Sequence, residues 1–211
     1  MNSEKFVRKV AKLEFANCFN PYSSRCDVHD VPDAPQLRSE TLRLMLDAAR
    51  NMEIESMWVG RDLGYRGGRR TGLALTDDYH VENHLRRFGV SVSSPTTGEV
   101  ISERTAAVIW NLLDRIEAPI FLWNVFPLHP HEPAAPFSNR AHNATERRAG
   151  EELLKELIQI LKPKTIIAIG NDAATVVEKL GGNEELEKVR HPSYGGQSVF
   201  LRQMSEHYGL D

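Results

Sequence analysis

The sequence predicts an α/β fold in which helices cover both faces of a mainly parallel, four-stranded central sheet. Three short apolar runs, bounded by charged or turn residues, predict strands over residues 54–60, 120–125 and 165–170, and a shorter run predicts a fourth over 187–190. The second and third runs lack polar alternation, which is typical of parallel strands buried on both faces. Because helical patterns alternate with these runs, we expect a three-layer α/β/α sandwich.

Apolar residues recur at the helical spacing i, i+3, i+4, i+7 in three segments. They are Leu42, Met45, Leu46 and Ala49; Ala106, Ile109, Trp110 and Leu113; and Ala173, Val176, Val177 and Leu180. A further helix is predicted over 145–161, where Asn143 and Glu146 have the spacing of a capping box. An opening helix around Phe6 and Val10 precedes a proline-containing loop over 17–35.

Length and composition limit the class of protein. With 211 residues, 41% hydrophobic and 26% charged, the chain suits one globular domain over 1–211, with residues 1–50 as a helical extension packed on it. Two cysteines are too few for a disulfide framework, and no apolar run is long enough to span a bilayer. We therefore expect a cytoplasmic monomer. Its 26 basic and 29 acidic residues give a net charge of −3, so any binding of nucleic acid must use a local patch.

Polar residues leave the predicted strands at their carboxyl ends, where ligands bind in open α/β sheets. Asp62 follows the first strand, Asn124 lies near the end of the second, Asn171 or Asp172 follows the third and His191 follows the fourth. The sequence thus predicts that these four side chains lie at one edge of the sheet, where the strands end.

The segment 60–72 combines glycines and arginines. It contains five glycines and four arginines against one aspartate, a local charge of +3. Glycines permit close backbone approach and arginines bind phosphates, so the composition favours a phosphate-bearing ligand. The segment has neither a Walker motif nor a dinucleotide fingerprint, and a surface loop is the structural alternative.

Four motifs in order resemble the uracil-DNA glycosylase superfamily over residues 57–200. They are Gly-x-Asp at Gly60, Thr-Gly-Leu at Thr71, an asparagine ending an apolar strand at Asn124, and His-Pro-Ser at His191. The resemblance implies the family's fold and cleavage of an N-glycosidic bond in DNA, with no metal or redox cofactor. Asp62 would position a water and stabilise a cationic sugar. Asn124 would recognise the base, and His191 would stabilise the departing base.

The resemblance and the basic segment together predict two further sets of contacts. Base-binding positions are Gly60, Arg61, Leu63, Gly64, Tyr65, Leu75 and Asn124. DNA-backbone positions are Arg66, Arg69, Arg70, Ser193, Tyr194, Gly195 and Gly196. Three positions depart from the best-known branch of the family: Leu75 replaces a stacking phenylalanine, Gly195 a leucine wedge and Gly64 a tyrosine that rejects thymine. The target base therefore stays open.

A histidine cluster in the loop 128–142 is a weaker candidate site. His129, His131, Glu132 and His142 lie close in sequence, but no spacing fixes a third metal ligand. We therefore predict no metal site. The functional hypotheses are a DNA glycosylase, a hydrolase of free nucleosides or nucleotides, and a catalytically silent nucleic-acid binder on the same fold.

Overall fold

The computed structural model describes residues 2–182 and 184–210, so the domain predicted over 1–211 includes three positions outside the described residues. In chain order its elements are α1 (Ser3–Ala11), β1 (Cys18–Phe19), α2 (Ala34–Ala49), β2 (Ser56–Asp62), α3 (Gly68–Thr71), α4 (Val81–Arg87), α5 (Arg104–Leu113), β3 (Ile120–Phe126), β4 (His129–Pro130), α6 (Ala144–Leu161), β5 (Thr165–Ile169), α7 (Asn171–Leu180), β6 (Glu185–Val189) and α8 (Gln197–Tyr208). Within this described part, no helix combines the length and apolarity that crossing a membrane requires.

The central sheet has four strands in the order β3-β2-β5-β6, and all three pairings are parallel. This confirms the predicted fold class. The register pairs Gly60 of β2 with Asn124 of β3, close to the carboxyl ends of both strands.

Helices cover both faces of the sheet because side chains alternate along each strand. Met57 and Val59 pack into the core formed with α1, α2, α6 and α7. Trp58, between them, packs into a second core formed with α5 and α8. On β3, Leu122 belongs to the second core, so Asn124, two residues further on, faces the same side.

Helix α6 begins as the sequence predicts and approaches the sheet closely. Asn143 accepts the Glu146 N–H (3.0 Å), and the Glu146 carboxylate accepts the Asn143 N–H (2.7 Å), which completes the capping box. Further along, Gly150 lies against the backbone carbonyl of Val125, where a β-carbon would collide with the oxygen. The missing side chain lets α6 contact β3 directly.

The first fifty residues are joined to the rest by packing and by a small second sheet. Phe6 and Leu42 lie in the core beside α6 and α7. The predicted loop over 17–35 contains β1, which pairs antiparallel with β4. Arg140 contacts Asn17 O (3.3 Å) and Cys18 Sγ (3.4 Å) and forms an ion pair with Glu146.

Several elements were not predicted. Strands β1 and β4 have two residues each and leave no periodic signal. Helices α3 and α4 are both shorter than two full turns, which is too short for a helical pattern to repeat. Helix α8 buries Phe200 and Met204, a spacing of four residues that predicts one helical face.

Replacing Gly150 with alanine tests the contact between α6 and β3. Alanine gains about 1 kcal/mol of helix propensity, but its methyl group meets a backbone oxygen that cannot rotate away. We expect a net loss of about 1–3 kcal/mol in the free energy of unfolding, measured by urea denaturation. Glu152→Ala, at an exposed position of the same helix, should change stability little. Equal stability of the two variants would contradict this packing.

Candidate active site

The three predicted catalytic side chains all lie near the carboxyl ends of the sheet strands. Asp62 is the last residue of β2, Asn124 precedes the end of β3 by two residues, and His191 follows the end of β6 by two. Because β2 and β3 are neighbours, the first two lie close together, and His191 approaches from the β6 edge.

Asn124 is buried, with 1% of its surface exposed, and its amide is not satisfied by the protein. Neither Oδ1 nor Nδ2 has a hydrogen-bond partner among the described residues. A β-carbon at Gly60 would collide with Oδ1, so the glycine provides the room that the amide occupies. Buried carboxamides nearly always have partners, so this one is exceptional in leaving both its donor and its acceptor unoccupied by protein groups.

Asp62 is held on both oxygens. His142 Nδ1 lies 2.5 Å from Oδ1, and Arg61 Nε donates to Oδ2 at 2.8 Å. Arg61 also donates to Asp172 at 3.0 Å, which links the ends of β2 and β5. The Asp62 carboxylate is therefore fixed in orientation and almost completely buried.

The contact of His142 with Asp62 was not predicted from the sequence, which suggested only a weak metal-binding role for this histidine and a place for its loop near the pocket. It immediately precedes the N-cap of α6, and its ring packs edge-on against Phe126 at 6.1 Å. The capping box at Asn143 was the available signal, because it fixes the backbone just after the histidine. In the described residues, no group of three or more His, Cys, Asp or Glu is placed to hold a metal ion.

His191 is oriented by its own loop. The Ser193 N–H donates to His191 Nδ1 at 3.1 Å, so in the neutral ring the proton lies on Nε2. Burial lowers the pKa of His191 below its usual range, and the nearby charges of Arg61 and Arg190 lower it further, against the opposing effect of Asp172. At neutral pH, His191 therefore offers an uncharged Nε2–H donor.

Leu75 lies beside Gly60 in a conformation that few side-chain-bearing residues adopt. Its φ is 54°, in the left-handed region, and its carbonyl accepts a hydrogen bond from Trp110 Nε1 at 3.1 Å. A β-carbon at Gly60 would lie 3.1 Å from Leu75 Cδ2. Leu75 thus stands next to the buried amide, in the area where a base-stacking residue was predicted.

The glycines of the 60–72 segment accommodate protein side chains, which differs from the predicted close approach to phosphate. A β-carbon at Gly67 would lie 2.7 Å from Glu103 Oε2, and one at Gly64 would lie 3.5 Å from Glu103 Oε1. Likewise, Gly68 leaves room for Leu63, which is buried, and Gly72, at φ 73°, leaves room for Arg38.

Two arginines of the same segment are unavailable to DNA, so the predicted backbone contacts of Arg69 and Arg70 need correction. Arg69 is 4% exposed, with its guanidinium 3.8 Å from the centre of the Phe19 ring, and its Nη1 lies 3.1 Å from His129 Nδ1. Arg70 is 8% exposed and donates to Asp78 at 2.6 Å. Since Arg61 is also paired, the local charge of +3 is largely neutralised within the protein.

The neighbouring Tyr65 and Arg66 remain at the surface of the loop. Arg66 is exposed, and its guanidinium lies 5.5 Å from the centre of the partly exposed Tyr65 ring. The Tyr65 N–H donates to Asn139 at 3.0 Å, which ties this loop to the segment before His142.

The loop after His191 presents one aromatic side chain to solvent. Tyr194 is 98% exposed at φ 53°, and Gly195 follows in open space at φ 75°. Ser193 shares a hydrogen bond with Thr105 (3.1 Å). Gly196 is buried, and a β-carbon there would collide with His191 O, so the turn of this loop requires a glycine at that position.

Comparison with known proteins identifies the family. The model of the uracil DNA glycosylase superfamily matches residues 51–205. The chain belongs to the uracil-DNA glycosylase superfamily. A search among curated proteins found no match.

The solved structures similar to this chain have low sequence identity to it. SMUG2 from Pedobacter heparinus is 15% identical, with a TM-score of 0.58 and 97% of each chain covered, so the first fifty residues are included in the likeness. A UNG point mutant from Nitratifractor salsuginis (14% identity, TM-score 0.43) covers 80% of this chain and 78% of its own. A mimivirus UNG variant in complex with UGI has 16% identity and a TM-score of 0.45, and the match covers 82% of this chain and 70% of the mimivirus chain.

Replacing Asn124 with leucine tests whether its amide is unsatisfied. Leucine has a similar shape and no polar atoms, so we expect the free energy of unfolding to rise by about 1–2 kcal/mol in urea denaturation. Asn20→Leu is the matched control, because that buried amide donates to Val10 O and Leu13 O and accepts the Tyr22 N–H. The control should lose about 1–3 kcal/mol. A similar loss in both variants would show that Asn124 has a partner.

Proposed function

We propose that the chain is a DNA glycosylase that takes a damaged or modified base out of the stack and hydrolyses its N-glycosidic bond. The buried, unpartnered amide of Asn124 is the observation that carries this proposal. A carboxamide offers one acceptor and one donor, which complements the N3–H and O4 edge of uracil. Membership of the superfamily supports the same chemistry.

The proposed mechanism uses two sets of residues, one at the sugar and one at the departing base. Water adds its oxygen to C1′ while the C1′–N bond breaks and its electron pair leaves with the base. Asp62, oriented by His142 and Arg61, stabilises the cationic sugar and positions the water, whose proton passes to the Asp62–His142 pair. The Nε2–H of His191 stabilises the negative charge on the departing base, and its lowered pKa keeps this donor neutral.

The proposed contacts with DNA lie around this site. Exposed Arg66 and Tyr194 face solvent on loops that follow β2 and β6, and Ser193 lies at the foot of the second loop. Arg69 and Arg70 no longer belong to this set, whereas Gly195 and Gly196 stay in it as proposed contacts. We further propose that the protein acts as a monomer and that it works in the cytoplasm; the free thiols of Cys18 and Cys26 suit a reducing compartment.

Substitution of the three central residues tests the proposal directly. Oligonucleotides, single- and double-stranded, would carry uracil, hypoxanthine or another modified base, and single-turnover release of the base would be measured. Asp62→Asn, Asn124→Ala and His191→Ala should each slow release by about 10²–10³-fold, since each removes an interaction made in the transition state. His207→Gln, at an exposed position on α8, should behave like the wild type. No release from any substrate would overturn the proposal.

Substitution of Tyr194 tests the contact with DNA. Stacking of one base on an aromatic ring contributes about 1–3 kcal/mol, so Tyr194→Ala should raise the KM for DNA by about tenfold or more. Tyr79→Ala is the control. Tyr79 is also an exposed tyrosine, but it lies outside the His191 loop, so its removal should leave the KM for DNA unchanged. An unchanged KM for Tyr194→Ala would show that this ring does not meet the substrate.

One observation favours a second candidate, a hydrolase of free nucleosides or nucleotides. Burial of Arg69 and Arg70 and the pairing of Arg61 leave few free cations on the segment 60–72. The salt dependence of substrate binding separates the two candidates, because each phosphate contact with DNA releases counterions. A steep decrease in affinity for DNA with salt supports the glycosylase, and hydrolysis of free nucleosides with no affinity for DNA supports the alternative.

A further inference from the structure

Glu103 is a partly buried carboxyl group that the mechanism above does not use. It is the N-cap residue of α5, and its backbone N–H donates to Asp77 Oδ2 at 2.6 Å. Its side chain turns toward the loop after β2. A β-carbon at Gly67 would lie 2.7 Å from Oε2, and one at Gly64 would lie 3.5 Å from Oε1. The carboxyl therefore occupies the space that a side chain at Gly67 would fill and lies beside the open position at Gly64.

Helix α5, which Glu103 precedes as the N-cap, contacts two segments of the candidate active site. Thr105, in its first turn, shares a hydrogen bond with Ser193 of the His191 loop (3.1 Å). Further along, Trp110 Nε1 donates to the carbonyl of Leu75 at 3.1 Å, and Leu75 lies beside Asn124. Since α5 contacts the segments that carry His191 and Leu75, Glu103 at its start lies at the side of the same site.

The sheet topology indicates which edge of a bound pyrimidine would face this carboxyl; the argument rests on the proposed function. The loop after β2 turns toward β3, because the Leu63 N–H donates to Leu128 O (3.2 Å), whereas His191 follows β6 at the opposite edge of the sheet. With the glycosidic nitrogen at Asp62, O2 at His191 and the N3–O4 edge at Asn124, carbon 5 of the ring points toward Gly64.

We propose that the Glu103 carboxyl forms the wall of the base pocket beside Gly64 and selects bases by the substituent at carbon 5. A substituent with a hydroxyl group can hydrogen bond to the carboxyl across the gap that Gly64 leaves. An anionic substituent meets a group of the same charge and is rejected. Glu103 thereby acts as a specificity residue, with no part in the transfer of protons during hydrolysis.

The charges around Glu103 make this selection depend on pH. The pKa of Glu103 is raised to about 7, chiefly by burial and also by the charge of Asp77, against the opposing effect of Arg66 on the glycine loop. His80 is hydrogen-bonded to Asp77 at 2.6 Å on the far side of that carboxylate. As the pH falls through about 7, Glu103 takes up a proton and its repulsion of an anionic substituent weakens.

The experiment compares kcat/KM for oligonucleotides that carry uracil, 5-hydroxymethyluracil or 5-carboxyluracil. Relative to uracil, Glu103→Met should lower the preference for the hydroxymethyl base about tenfold and raise acceptance of the carboxyl base by a similar factor. Glu103→Gln should keep the hydroxymethyl preference, because an amide still hydrogen bonds, and lose the rejection. In the wild type the rejection should weaken between about pH 8 and about pH 6, whereas in Glu103→Gln it should not.

The outcomes separate this inference from the proposed function. Glu117→Met, at an exposed position beyond the far end of α5, should leave all three ratios unchanged. Equal changes on every substrate in the Glu103 variants would overturn the inference and leave the glycosylase assignment intact. Absence of base release from every substrate by the wild type would overturn both.

Discussion

The close contact between β2 and β3 at Gly60 and Asn124 is the constraint on which the candidate site depends. Any side chain at position 60 would collide with the amide oxygen, so the glycine is what permits a carboxamide to be buried at the end of a parallel strand. An unpartnered buried amide destabilises the folded chain by about 1–3 kcal/mol. The surrounding three-layer core must offset that cost, which ties the binding capacity of the site directly to the packing of the sheet.

Helix α5 gives the site its rigidity. It holds the left-handed Leu75 through Trp110, contacts the His191 loop through Thr105 and fills the glycine loop with Glu103. A strained residue such as Leu75 persists only where its neighbours fix it, and here the constraint comes from an indole donor on a helix that is itself packed on the sheet. Loops from three parts of the chain are thus placed relative to one scaffold.

The fold was largely predictable from the sequence, since uninterrupted apolar runs and a capping box leave a local signal. The positions of Asp62, Asn124 and His191 followed from the rule that parallel strands end on one rim. The electrostatics did not follow, because the partners lie far apart in sequence: His142 is 80 residues from Asp62 and Asp172 is 111 residues from Arg61. A count of arginines over 60–72 could not show that Arg69 lies under Phe19 or that Asp78 pairs with Arg70.

The pairing of β1 with β4 joins the amino-terminal segment to the loop that leads to His142. Arg140 connects the carbonyls of Ala16 and Asn17 to Glu146, the same glutamate that caps the helix next to His142. The boundary of the superfamily match at residue 51 therefore does not coincide with the boundary of the mechanical unit. Residues outside the matched region thus contact Arg140, whose partner Glu146 caps the helix that follows His142, so changes in this extension reach the segment that binds Asp62.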